Sequence, residues 1–255
     1  MKIISIFNQK GGPGKTTTAV NLSAAFAKLE KKTVIVDLDS QANSSTYLGF
    51  TKEKLLQMTS VYECLTEELP LCDAITETNY EHLYLVPSNK KMTGIEQILT
   101  TVAGRETLLK ESIQNCLESL DYDYIILDCP PALGIVSLNA LVASSEVIIP
   151  VEGAFALEGV NDLMNTIKLV KRKFNPDLEI MGALLTKYTQ TNLFNGIYSE
   201  LAEFFGDKVF KNVIRNNVKI GESQTVNKPI LYYDSKSAGS EDYMALAKEV
   251  IGDGN

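Results

Sequence analysis

An apolar segment from Lys2 to Asn8 runs into Gln9-Lys10-Gly11-Gly12-Pro13-Gly14-Lys15-Thr16-Thr17, and a stretch of helical period continues from Lys15 to Leu29. This glycine-rich turn constrains the fold more than any other feature, because it works only where a strand and a helix pack side by side. Glycines let successive N–H groups curl toward one anion, Lys15 reaches the β- and γ-phosphates, and Thr16 offers a hydroxyl to Mg²⁺. A plain glycine-rich helix cap accounts for the glycines but not for a lysine and two threonines in register. Pro13 has no N–H, so the cradle lacks one donor there.

The remaining strand candidates are Thr33 to Asp37, Leu83 to Pro87, Tyr124 to Asp128, Val147 to Val151, Glu179 to Thr186 and Val209 to Ile214. Most are nearly all apolar, as parallel strands covered on both faces must be. Helical periods at Arg105 to Leu120, Leu133 to Ala143, Leu157 to Phe174, Leu193 to Phe205 and Glu241 to Val250 alternate with them. The alternation predicts an α/β fold: a doubly wound, mostly parallel sheet with helices on both faces. No repeat or linker divides the 255 residues, so residues 1–255 read as one domain. Ligands of such sheets bind beyond the carboxyl ends of the strands. The segments to inspect therefore follow Asn8, Asp37 and Asp128.

Each of these strand ends carries chemistry. Val34-Ile35-Val36-Asp37-Leu38-Asp39 ends a buried strand on carboxylates, which is costly unless they meet a cation or a donor. A Mg²⁺–phosphate site would satisfy them. An Asx-capped turn before a short helix suits Ser40 to Asn43 but leaves two aspartates unexplained. Tyr124-Ile125-Ile126-Leu127-Asp128 has the Walker B form, an apolar strand delivering one carboxylate to the water shell of the metal. Cys129 reads as a small buried residue.

Four scattered cysteines without a CxxC pair and a single histidine, His82, exclude a recognisable zinc site and fit a reducing, cytoplasmic compartment. No apolar run approaches the length of a membrane span, and the C-terminal helix ends acidic, without a basic amphipathic face. The net charge of −8 argues against a dedicated nucleic-acid binder. Residues 163–236, however, hold 11 basic and 7 acidic side chains, a basic region on an acidic body.

The ordinary phosphate-loop pattern would place glycine at position 9; here there is Gln9, followed by a second lysine, Lys10. On the loop alone Lys10 is a second local phosphate contact. The KGGxGKTT form is the deviant Walker A motif, and with it the chain resembles the ParA/Soj/MinD family of ATPases. Pro130-Pro131-Ala132-Leu133-Gly134, Phe155-Ala156-Leu157-Glu158-Gly159 and Lys228-Pro229-Ile230-Leu231-Tyr232-Tyr233-Asp234 extend the resemblance over nearly the whole chain, nearest the Soj-like, chromosome-type ParA proteins. The resemblance implies ATP/ADP and Mg²⁺ as ligands, a weak intrinsic ATPase, and an ATP-sandwich homodimer in which Lys10 touches the nucleotide of the partner. It implies that Lys15 and Asp39 join Lys10 in catalysis, with Asp39 positioning the attacking water. Asp37, Asp39 and Asp128 would lie around the metal with Thr16, and Asn217 on the adenine side. It also implies a ParB-type activator, nonspecific DNA and an association with the nucleoid. With the phosphate loop at residue 10, no N-terminal helix-turn-helix domain is expected.

Two DNA-contacting arginines of the family are neutral here, Gln190 and Asn216. Lys187, Lys211, Arg215 and Lys219 are the candidate replacements, aided by Lys168, Lys208 and Lys171-Arg172-Lys173. By itself the last run reads first as a solvated helix C-terminus complementing the helix dipole. Two other readings share the nucleotide chemistry: a positioning or scaffold ATPase acting on a protein surface, and a metabolic enzyme using ATP on a small molecule.

Overall fold

The computed structural model describes residues 1–119, 121–152, 160–189 and 192–252, with the side chains of 192–195 excepted. The helix start at Leu157, the segment from Phe155 to Gly159, Leu120, Gln190 and the last three residues of the acidic tail lie outside the described residues. In chain order the elements begin β1 (Lys2–Ile6), α1 (Lys15–Lys28), β2 (Thr33–Asp37), α2 (Asn43–Tyr47), α3 (Lys52–Leu55), α4 (Val61–Thr66), β3 (Thr76–Glu77) and β4 (Leu83–Val86). They continue with α5 (Ile95–Leu99), α6 (Leu108–Gln114), β5 (Tyr124–Asp128), α7 (Ile135–Ala143), β6 (Glu146–Glu152), α8 (Val160–Lys173) and β7 (Glu179–Thr186). The last helices are α9 (Asn192–Phe205), α10 (Val218–Thr225), α11 (Ile230–Tyr233) and α12 (Ala238–Ile251).

The strands form one seven-stranded sheet in the order β3-β4-β2-β5-β1-β6-β7. All pairings are parallel except β3 with β4. The doubly wound fold expected from the sequence is therefore present, with β3 as an antiparallel edge. Successive residues of each strand face opposite layers. Ile4, Ile6, Ile35 and Ile126 pack with Phe26 of α1 and Tyr243 of α12. Val34, Val36, Ile125 and Leu127 pack on the other face with Leu109, Leu141 and Leu163 of α6, α7 and α8. Covering on both faces explains why the strands read as apolar runs rather than alternating ones. In register, Asp128 lies beside both Ile6 and Asp37, so the first three strand ends to be inspected converge at the centre of the sheet.

The segment Val209 to Ile214 is not a strand. Isolated bridges stand only at its start, Ala183–Val209, and just past its end, Tyr188–Arg215, because its middle is drawn toward α12: the Glu249 carboxylate accepts from the backbone N–H groups of Lys211 (2.8 Å) and Asn212 (3.0 Å). The helix expected from Arg105 to Leu120 is shorter, starting at Leu108. The Asn139 side chain holds its approach, accepting from Leu109 N at 3.0 Å and donating to the Arg105 carbonyl at 2.6 Å.

Helix α7, which follows the Asp128 strand, is capped from a distance. Glu96 of α5 accepts from Ile135 N at 2.9 Å and from Val136 N at 3.5 Å. A Cβ at Gly134 would collide with the Glu96 carboxylate. Gly134→Ala is therefore expected to displace this cap at a cost of about 1 kcal/mol. A thermal melt should show Tm lowered by roughly 2–4 °C; an unchanged Tm would show that Glu96 is not stabilising the helix.

Candidate nucleotide site

The phosphate loop takes its shape from two glycines, Gly12 and Gly14, whose φ angles of 98° and 84° lie in the left-handed region. Gly14 begins α1 without any side-chain cap, and no acidic residue stands in the first helical turn. The first N–H groups of a 14-residue helix are thus left for an anion, with the positive end of the helix dipole behind them. Pro13, which cannot donate, anchors the loop by its carbonyl, accepting from Thr186 Oγ1 of β7 at 2.9 Å.

The Lys15 side chain is buried, and its ammonium donates to the Lys10 carbonyl at 2.8 Å. Burial lowers the pKa of Lys15, while the nearby carboxylates of Asp128 and Asp39 oppose that shift. Asp37 and Asp128 are fully buried neighbours on β2 and β5. Burial pushes both carboxyls above the ordinary range; Asp37 is raised further by Asp128, and Asp128 by Asp39. Paired buried carboxylates call for positive charge nearby.

The two aspartates differ in what they touch. Asp37 is partnered at both oxygens: Oδ1 accepts from Asp39 N at 3.2 Å, and Oδ2 accepts from Ser45 N at 2.8 Å and Ser45 Oγ at 2.7 Å. Asp128 is not. Its Oδ2 accepts from Ser44 Oγ at 2.6 Å and its carboxylate meets the Thr16 hydroxyl, but the buried Oδ1 has no hydrogen-bond partner. Among the described residues no three His, Cys, Asp or Glu side chains converge on a metal position. Mg²⁺ keeps several waters and takes substrate phosphates as ligands, so a site built from one hydroxyl and one orphaned carboxylate oxygen fits it. Thr16 and Asp128 would face that ion, which when bound neutralises phosphate charge. Asp37, expected around the metal, meets loop donors on both of its oxygens.

Gly11, Gly12, Gly14, Lys15, Thr16, Thr17 and Asp39 line one cleft of about 370 Å³. The partly exposed Asp39 accepts from Gln41 N through Oδ1 at 2.9 Å. A second cavity of about 450 Å³ shares Gly14, Thr17, Lys187 and Gln224 with the first and extends past Ile214 and Asn217 to Tyr243. The pair gives space for a polyphosphate and, beside it, a base. Asn217 caps α10, its Oδ1 accepting from Lys219 N at 2.8 Å, which leaves the amide NH₂ for a ligand. Lys10 lies beside the cleft, its backbone N–H donating to Asn8 Oδ1 at 3.0 Å.

The basic residues expected to contact DNA are mostly engaged within the chain. Arg215 pairs with Asp242 at 2.7 Å and Glu241 at 3.0 Å, so its charge is already met by α12. Lys219 pairs with Glu222 at 2.7 Å. Lys187 pairs with Glu152 at 2.8 Å and lines both nucleotide cavities. Of these four, Lys211 alone has an ammonium with no carboxylate within salt-bridge distance among the described residues.

A family model described as an AAA domain matches residues 1–180. The sporulation initiation inhibitor protein Soj of Bacillus subtilis (strain 168) is 44% identical over 255 residues, covering 99% of each chain. The chain belongs to the ParA/Soj family of ATPases. The chromosome partitioning protein ParA of Myxococcus xanthus is 40% identical over 98% of this chain and 88% of its own. Among solved structures, cobyrinic acid a,c-diamide synthase from Mycobacterium smegmatis with bound ADP and magnesium superposes with a TM-score of 0.85 at 31% identity, covering 98% of this chain and 94% of that one. As a ParA/Soj ATPase the protein binds ATP and ADP with Mg²⁺ and hydrolyses ATP. Among the described residues no helix is long and apolar enough to cross a membrane.

Reading the ParA/Soj motifs alone passes over Ser44 and Ser45. The signal was available: two hydroxyls directly follow the loop that carries Asp39, within reach of the buried strand ends.

Proposed function

We propose that the protein is a Soj-like partition ATPase. Two copies come together across Mg·ATP, with Lys10 of each reaching the nucleotide of the other. The dimer binds DNA without sequence preference, and a ParB-type protein stimulates the slow hydrolysis that releases it. In this reading the protein works in the cytoplasm, on the nucleoid. The observation that carries it is the single cleft joining an uncapped helix N-terminus, buried Lys15 and partly exposed Asp39, in a chain alike to Soj over its whole length. Lys15 and the loop amides hold the phosphates, Thr16 faces the metal, and Asp39 orients the attacking water. That whole-length identity outweighs the 31% likeness to the synthase in choosing partition over small-molecule chemistry.

Binding of the protein to nonspecific duplex DNA with ATP, with ADP and without nucleotide, across a salt series, tests the reading. Binding only with ATP, weakening steeply as salt rises, is expected, because phosphate neutralisation dominates such affinity. Lys211 and the exposed Lys168, Arg172 and Lys173 would then supply the contacts. No binding in any state, with dimerisation by ATP intact, would favour a positioning ATPase acting on a protein surface. The internal pairing of Arg215, Lys187 and Lys219 is the observation that keeps this second reading in view.

A further inference from the structure

We propose that Asp37 is a positioning residue for the water-orienting Asp39, working through a clamp made by Ser45 and Ser44. The inference rests on the reading of Asp39 given above. One carboxylate holds both ends of the loop that carries Asp39. Asp37 Oδ1 accepts from Asp39 N at 3.2 Å, and Oδ2 accepts from the N–H and hydroxyl of Ser45 at 2.8 and 2.7 Å, six residues further along. The direction of the Ser45 bond is fixed, because its Oγ also accepts from Ser88 N at 3.2 Å, leaving its one proton for Asp37. Ser88 follows β4, the strand beside β2, so the clamp is built into the sheet.

Ser44 completes it. Its hydroxyl donates to Asp128 Oδ2 at 2.6 Å, tying the same loop to the metal-side carboxylate. All four side chains are buried. Between the anchors, Ala42 is held at φ 54°, a left-handed conformation that an alanine keeps only when its surroundings enforce it. The position of Asp39 beside the phosphate cleft is therefore set by Asp37 and the two serines.

Single-turnover ATP hydrolysis by the full-length chain, measured against Mg²⁺ and ATP concentration, tests the clamp in Ser45→Ala, Ser45→Thr, Asp37→Asn and Asp39→Ala. Ser45→Ala is expected to lower the rate constant by roughly 10- to 100-fold, the scale of a displaced catalytic group, with the Mg²⁺ and ATP half-saturation points unchanged. Ser45→Thr, which keeps the hydroxyl, should restore most of the rate. A wild-type rate in Ser45→Ala, or no rescue by threonine, would overturn the clamp. So would an Asp37→Asn enzyme whose rate returns at high Mg²⁺, which would make Asp37 a metal-shell residue. If Asp37→Asn does not fold, the Ser45 pair decides. Full turnover in Asp39→Ala would refute the role of Asp39 itself, an outcome separate from failure of the clamp.

Discussion

Lys15→Ala is expected to weaken Mg·ATP binding by roughly 10²- to 10³-fold, measured by titration calorimetry. The lysine is 7% exposed and sits between the phosphate loop and the carboxylates of Asp128 and Asp39. Its removal strips one charge from the phosphates and takes from buried Asp128 the cation that favours its charged form. Loss of one partner from a buried ionic arrangement costs about 3–5 kcal/mol, and each 1.4 kcal/mol is about tenfold in affinity. Wild-type affinity in Lys15→Ala would mean that the loop amides alone hold the nucleotide.

Asp39→Ala separates binding from chemistry. Asp39 lines the phosphate cleft without occupying a buried strand end, and one of its oxygens already accepts from Gln41 N. The other is left to orient a water. Its loss should lower turnover by roughly 10²- to 10⁴-fold, the range of a positioned acid or base, while affinity for ATP stays near that of the wild type. Single-turnover hydrolysis beside a nucleotide competition assay checks both. A parallel fall in affinity would place Asp39 in binding instead.

The phosphate loop, the doubly wound sheet and the Asp128 strand were legible in the sequence because each is a local pattern: glycines at fixed spacing, and apolar runs long enough to show their period. The short helices α2 to α5 were not, since four to six residues hold barely one helical turn. Val209 to Ile214 misled by its β-branched residues; what decides its course is Glu249, some forty residues on. The pairing of Arg215 was hidden because sequence shows its charge and not its partner, Asp242, which folding brings from 27 residues away. The division of labour between Asp37 and Asp128 was equally hidden. Both end apolar strands, and only the fold gives one of them three donors and leaves the other an orphaned oxygen.

The central claim is that Mg·ATP in this cleft switches the assembly of the protein. Its most direct test is the mass in solution of the Asp39→Ala protein, by sedimentation or light scattering, with Mg·ATP, with Mg·ADP and without nucleotide. A doubling of mass in ATP alone is the expected result, since bound ATP that is not hydrolysed should hold two copies together. A monomer in every state, with ATP demonstrably bound, would contradict the switch.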